Sequence, residues 1–183
     1  MNKKRQLLID TALGLFYENG INSIGINQIL KHSGVAKQTL YRHFESKEAL
    51  ILAALEQRHM SFIEWLEAKL QGADSDEKLI TQLFSALESW FNNAEPMLGS
   101  FRGCFFINSS AEFSDLSGDI SIFCKTHKHK IRQVIAQHMT TENELLLDAI
   151  CIMKEGAITT AYVTGDYGAA IKCIQVLNVG AKC

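Results

Sequence analysis

The sequence predicts an all-α protein, and three observations carry that prediction. One proline, Pro96, stands among 183 residues, where strand-and-turn proteins need frequent turn punctuation. Apolar residues recur three and four apart along most of the chain. Short polar breaks, such as Asn19-Gly20 and Ser33-Gly34, divide that pattern into helix-length pieces.

Residues 4–18 form the first predicted helix, with Ile9, Ala12, Leu13 and Phe16 on one face and Asn19-Gly20 as its stop. A second covers 26–32, with Ile26, Ile29 and Leu30 inward. It ends at Ser33-Gly34, and a third helix begins near Ala36, with Leu40 and Phe44 on its buried side. Ser46 is a natural N-cap for a long fourth helix over 47–70, whose apolar face holds Leu50, Ala54, Leu55, Phe62, Ile63 and Leu66. After a polar turn from Gly72 to Ser75, the residues Ile80, Leu83, Phe84, Leu87, Trp90 and Phe91 mark a fifth. "NNAEPMLGSFRG" is the one long loop expected.

A short helix over 104–113 follows. Ser117-Gly118 then starts another, with Ile120, Phe123, Ile131, Val134 and Ile135 inward. Thr141 to Glu144 reads as a capping box, T-x-x-E, for a helix that Gly165 stops. A last helix fills 167–180. The domain organisation expected is a helix-turn-helix head, 1–46, ahead of a larger helical body, 47–183.

Composition narrows the function classes. No apolar run approaches a membrane span, and the basic start is broken by Asp10 and lacks a small-residue cleavage site, so a cytoplasmic protein is expected. The five cysteines (Cys104, Cys124, Cys151, Cys173 and Cys183) are odd in number and contain no C-x-x-C, which suits reduced thiols. No HExxH, no Gly-rich phosphate loop and no nucleophile–base spacing occurs. Cys104, His127 and Glu112 form no recognisable catalytic constellation, so no enzyme and no cofactor is expected. In "CKTHKHK", Cys124 and His127 share a helix face but His129 points elsewhere. That stretch reads as solvated basic surface rather than a metal site.

Charge is distributed unevenly. Residues 1–47 hold seven Lys/Arg against Asp10, Glu18 and Glu45, a net of +4 that leaves −6 for the remainder. A basic head on an acidic body is the footprint of a protein whose head alone meets a polyanion.

"SGVAKQTLYRHFESK" explains what the head does with that charge. A short helix, a turn containing Gly34 and a second short helix make a helix-turn-helix, whose second helix lies in the major groove. Lys37, Gln38 and Thr39 crowd the start of that helix. They can offer a donor to guanine, a bidentate amide to adenine, and a methyl or hydroxyl to thymine. Tyr41 and His43 fall toward the flanks, within reach of phosphate oxygens, and Lys47 adds a cation at the start of the fourth helix. The expected partner is double-stranded DNA.

On these residues the sequence resembles the TetR/AcrR family of transcriptional regulators. The resemblance runs from residue 7 to 50. It rests on A-x-x-x-F at Ala12 and Phe16, the spacing from Gly20 to Ile29, and S-G-V-A-x-x-T-L-Y-x-H-F-x-S-K-E-A-L. A weaker marker is the wording around Phe101, Gly103, Cys104, Asn108, Ala111 and Glu112. The resemblance implies a homodimeric repressor of a palindromic operator, released by a small-molecule effector, with the last two helices pairing between subunits. It also implies a two-state coupling in which the long fourth helix acts as the lever. Two positions depart from the family. Gly25 stands where Thr or Ser is frequent and Asn27 where Arg is frequent, so the foot of the second helix loses a side-chain anchor and a charge.

Effector residues are less legible. Phe62, Trp65, Trp90, Phe91, Phe105 and Phe123 either line an apolar pocket or build plain core. Asn108 and Glu112, one turn apart, are the polar pocket candidates. Cys104, after Arg102-Gly103, is a candidate sensor of electrophiles or inert core. Two rival readings stand beside the repressor: a helix-turn-helix protein without small-molecule control, and a helical enzyme.

Overall fold

The computed structural model describes residues 2–180, which are helical with no strand among them. Cys183 lies outside the described residues. The helices are α1 (Lys3–Asn19), α2 (Ile26–Ser33), α3 (Lys37–His43), α4 (Lys47–Leu70), α5 (Asp76–Phe91), α6 (Phe105–Glu112), α7 (Asp119–His138), α8 (Glu144–Thr164) and α9 (Ala169–Gly180). A single 3-10 turn, Pro96–Leu98, interrupts the long loop after α5.

Polar side chains start these helices where the sequence provides them. Asn2 accepts the N–H of Lys4 at 3.0 Å, Ser46 that of Ala49 at 3.1 Å, and Ser75 that of Lys78 at 3.2 Å. The expected capping box gives way to a different cap. Asn143 is the N-cap of α8, accepting the N–H of Leu146 at 3.0 Å, because Thr141 is drawn to the carboxylate of Asp76. That carboxylate also takes the N–H of Thr140 at 2.6 Å. Gly165 ends α8 as expected, its N–H reaching the carbonyl of Ala161 at 3.1 Å.

Contacts divide the chain into two compact units: Met1–Met60 with Phe105–His127, and Ser61–Cys104 with Lys128–Cys183. The head expected at 1–46 falls wholly within the first. There α1 packs on α2 and α3. Leu8, Ala12, Ile21, Ile29 and Leu40 are fully buried, with Phe16, Ile24 and Phe44 nearly so. Each of the Leu, Ile and Phe side chains contributes about 1.5–3 kcal/mol by leaving water. Leu8 rather than Leu13 completes the inner face of α1, since Leu13 is half-buried. Phe44 is buried as expected but lies just past α3, as its extended C-cap.

The first unit also corrects the reading of "CKTHKHK". Lys125 and His129 are exposed, but Cys124 and His127 are buried. The His127 ring stacks on Phe106, with centroids 3.4 Å apart, and its Nδ1 lies 2.9 Å from that of His59. The stack on Phe106 and the ring-to-ring contact with His59 place His127 inside the core rather than on the surface.

In the second unit α5, α8 and α9 pack against one another. Phe62, Trp65, Trp90, Phe91 and Phe101 form a continuous set of ring contacts, the tightest being Phe91–Phe101 at 4.8 Å. Glu95 is buried beside them and accepts from the Trp65 indole at 2.8 Å, from Lys69 at 2.8 Å and from Ser89 at 2.6 Å. Burial pushes its carboxyl up, yet those hydrogen bonds and the Lys69 charge outweigh it and hold it below the usual range.

Candidate nucleic-acid interface

The turn between α2 and α3 sets the presentation of α3. Gly34 has φ +66°, a conformation that favours glycine, and its N–H donates to the carbonyl of Leu30 at 2.9 Å. Ser33 accepts the N–H of Val35 at 3.3 Å. The chain then runs extended through Ala36, whose carbonyl accepts the N–H groups of Thr39 at 2.9 Å and Leu40 at 3.1 Å. Helix α3 therefore begins at Lys37.

Leu40, fully buried, fixes the rotation of α3 about its axis. With that side committed to the core, Lys37, Gln38, Tyr41 and Arg42 are exposed and Thr39 and His43 are half-buried. Tyr41 keeps 46% of its surface, so its phenol is held outward. Arg42 joins the candidate set, although the sequence reading did not name it. The signal was present, because it lies one helical turn beyond Gln38 and shares its face.

The foot of α2 is open. Gly25 is the N-cap, with φ −87° and ψ 159°, and makes no side-chain cap bond. A Cβ added there would meet nothing within 4 Å. Asn27 is exposed one residue into the helix.

Two cations of the head are engaged within it. Lys47 donates to the carbonyl of Ile21 at 2.9 Å, and its ammonium lies 5.9 Å from the Phe16 ring centroid. The Arg5 guanidinium sits 5.2 Å from that of Phe44. Lys47 thus ties the start of α4 to the turn after α1.

Glu112 holds the same turn from α6. Its carboxylate accepts the N–H of Ile21 at 2.8 Å and of Asn22 at 2.6 Å, while Asn22 donates its side-chain amide to the Glu112 carbonyl at 3.2 Å. Gly20, at φ +84°, lets the carboxylate approach: a Cβ there would lie 3.2 Å from Oε1.

The other effector candidates fall in both units. In the second, Phe62, Trp65 and Trp90 are buried in mutual contact, and the sulfur of Cys104 accepts from Lys128 at 3.2 Å. In the first, Phe105 is buried with its ring edge-on to Tyr17 at 5.8 Å, Asn108 is half-buried, and Phe123 meets His59 edge-on at 5.9 Å.

Comparison with known proteins agrees with this geometry. The family described as "Bacterial regulatory proteins, tetR family" matches residues 8–54. The HTH-type transcriptional repressor ComR of Escherichia coli is 27% identical over 141 residues, covering 76% of this chain and 65% of that protein. The repressor NemR of Escherichia coli is 28% identical over 118 residues, covering 63% and 57%. The chain thus matches less than two thirds of the length of either relative. Among solved structures, a TetR-family transcriptional regulator from Streptomyces coelicolor superposes with a TM-score of 0.82 at 23% identity, covering 97% of this chain and 94% of that one. The reduced form of Escherichia coli NemR gives 0.78 at 22% identity, covering 96% and 95%.

Proposed function

We propose that this chain, whose residues 8–54 match the tetR family of bacterial regulatory proteins, is a repressor that binds a palindromic operator as a homodimer and lets go on an effector signal. One observation carries the reading: buried Leu40 leaves Lys37, Gln38, Tyr41 and Arg42 together on the outer face of a helix set by the Gly34 turn.

In this reading α3 enters the major groove. Lys37, Gln38 and Thr39 read base edges, and Tyr41 and His43 meet phosphates. Gly25 and Asn27 bring the foot of α2 to the backbone, Gly25 through its N–H group. Lys47 acts mainly by holding Ile21, with its remaining donors left for phosphate. A two-fold dimer sets two α3 helices about one DNA turn apart, roughly 34–36 Å, which requires an inverted repeat in the operator.

The exposed apolar residues of the last two helices support the dimer. Leu145, Ile152 and Val163 on α8 and Val176 on α9 are between 60% and 80% exposed. A second copy is the cover they fit. The effector candidates form two separate sets: Phe62, Trp65 and Trp90 with the Cys104 thiol in the second unit, and Phe105, Asn108 and Phe123 in the first. Glu112, spent on the head turn, serves there to hold the head.

Selection of bound fragments from the source genome tests the proposal. An inverted repeat with half-sites near one helical turn apart, bound by dimer, is the expected result. Selection of no common sequence would contradict it.

A further inference from the structure

The first unit holds a cavity of about 470 Å³ between the start of α4 and the segment that joins α6 to α7. That volume lies within the range of small-molecule sites, roughly 300–1,000 Å³. Leu52, Phe113 and Ile120 give it apolar walls. Glu48, in the first turn of α4, and Asp119, in the first turn of α7, bring carboxylates to it from two elements. Helix dipoles favour an acid at either place, yet no lysine, arginine or histidine among the described residues lines the cavity.

The buried polar side chain of the lining is an acceptor as well. Ser121, 8% exposed, gives its hydroxyl proton to the Phe113 carbonyl at 3.2 Å, so its oxygen has only lone pairs left to offer. The other two carboxylates of the lining are engaged within the protein. Glu112 takes the N–H groups of Ile21 and Asn22, and Asp115 takes the N–H of Ser117 at 2.9 Å and its hydroxyl at 2.7 Å. Glu48 and Asp119 therefore carry the charge left for a ligand. Among the described residues no three acidic, histidine or cysteine side chains are grouped to hold a metal ion. Carboxylates from separate elements beside apolar walls call instead for an organic cation.

We propose that this cavity binds an aliphatic diammonium compound, a hydrocarbon chain with an ammonium group at each end. One ammonium meets Glu48 and the other Asp119, Ser121 accepts a further N–H, and the methylenes lie on the apolar walls. A monoamine satisfies one of the two carboxylates, and a diol neither. Glu112 lines the same cavity, so the occupant lies against the residue that closes the turn after α1. The site draws on none of the aromatic or thiol candidates named for the effector, and binding to it is independent of the repressor reading.

The test is calorimetric titration of the full chain with cadaverine, in dilute neutral buffer and without DNA. Saturable binding is expected, about tenfold tighter than that of pentylamine, with no binding of pentanediol. Asp119→Asn and Glu48→Gln should each weaken cadaverine about tenfold. Glu67→Gln removes the same charge at an exposed position outside the lining, and it should leave the affinity unchanged. Equal affinities for cadaverine and pentylamine would overturn the proposal, and so would the absence of saturable binding. Equal weakening by Glu67→Gln and Asp119→Asn would overturn it too, because net charge rather than the cavity would then hold the amine. Should either cavity variant fail to fold, the wild-type ratio of cadaverine to pentylamine affinity still decides. Because no DNA is present, failure to select an operator leaves this result standing, and failure to bind cadaverine leaves the repressor reading standing.

Discussion

The carboxylate of Glu112 accepts the backbone N–H groups of both Ile21, at 2.8 Å, and Asn22, at 2.6 Å, so the last residue of α6 closes the turn that follows α1. Lys47 holds the same turn through the Ile21 carbonyl at 2.9 Å. The turn sets how α1 meets α2, and through them how the helix-turn-helix is braced. Glu112→Ala leaves those N–H groups without their acceptor and should destabilise the protein by about 1–3 kcal/mol in chemical denaturation. Gly20→Ala, which introduces a Cβ 3.2 Å from Oε1 at φ +84°, should cost a similar ~1–3 kcal/mol. Because both act on one contact, the double variant should cost clearly less than the sum. Strict additivity would show that the contact does not couple them.

Gly25→Ser tests the departure at the foot of α2. The backbone there is extended and the space for a side chain is open, so the serine hydroxyl can cap α2 at no steric cost. Stability should rise by a few tenths of a kcal/mol, and DNA affinity should rise alike on cognate and random duplex, because a hydroxyl on phosphate carries no sequence information. A drop in melting temperature would show that the site is closed.

Glu95 predicts a pH dependence. Burial raises its carboxyl, but the bonds from Lys69, Ser89 and Trp65 together with the Lys69 charge lower it further, so the folded value lies below the ordinary 4.5. A depressed carboxyl stabilises the fold above its unfolded value and loses that contribution as pH falls through the folded one. Glu95→Gln should therefore be less stable than wild type near pH 7, with the gap narrowing toward about pH 3. Urea midpoints at the two pH values check this, and a constant gap would contradict it.

Lys47→Ala separates bracing from phosphate contact. Loss of the bond to the Ile21 carbonyl should lower the stability of the head by about 1 kcal/mol. If Lys47 also neutralises a phosphate, the slope of log affinity against log salt should flatten by about one unit. An unchanged slope with lowered stability would restrict it to bracing.

Much of the fold and the main elements of the candidate interface helix α3 were legible because they rest on local rules. Periodicity found the helices, Gly34 marked the turn, and the four-residue spacing of Leu40 and Phe44 separated the buried side of α3 from its polar one. What was not legible depends on partners far along the chain. Nothing local to Glu112 says that it will meet Ile21, ninety-one residues away, and a polar pocket group was the natural reading. Thr141 satisfied the capping pattern, yet Asp76 competed for its hydroxyl and Asn143 took the cap. Cys124 and His127 sat among lysines in sequence, and only the Phe106 ring and His59 account for their burial.

The most direct test of the central claim is a paired titration of the selected operator and a random duplex with wild type and Gln38→Ala. Gln38→Ala should lose about 1–3 kcal/mol on the operator and leave random-duplex affinity unchanged. Equal losses on both duplexes, or none on either, would contradict the assignment of α3 as the helix that reads bases.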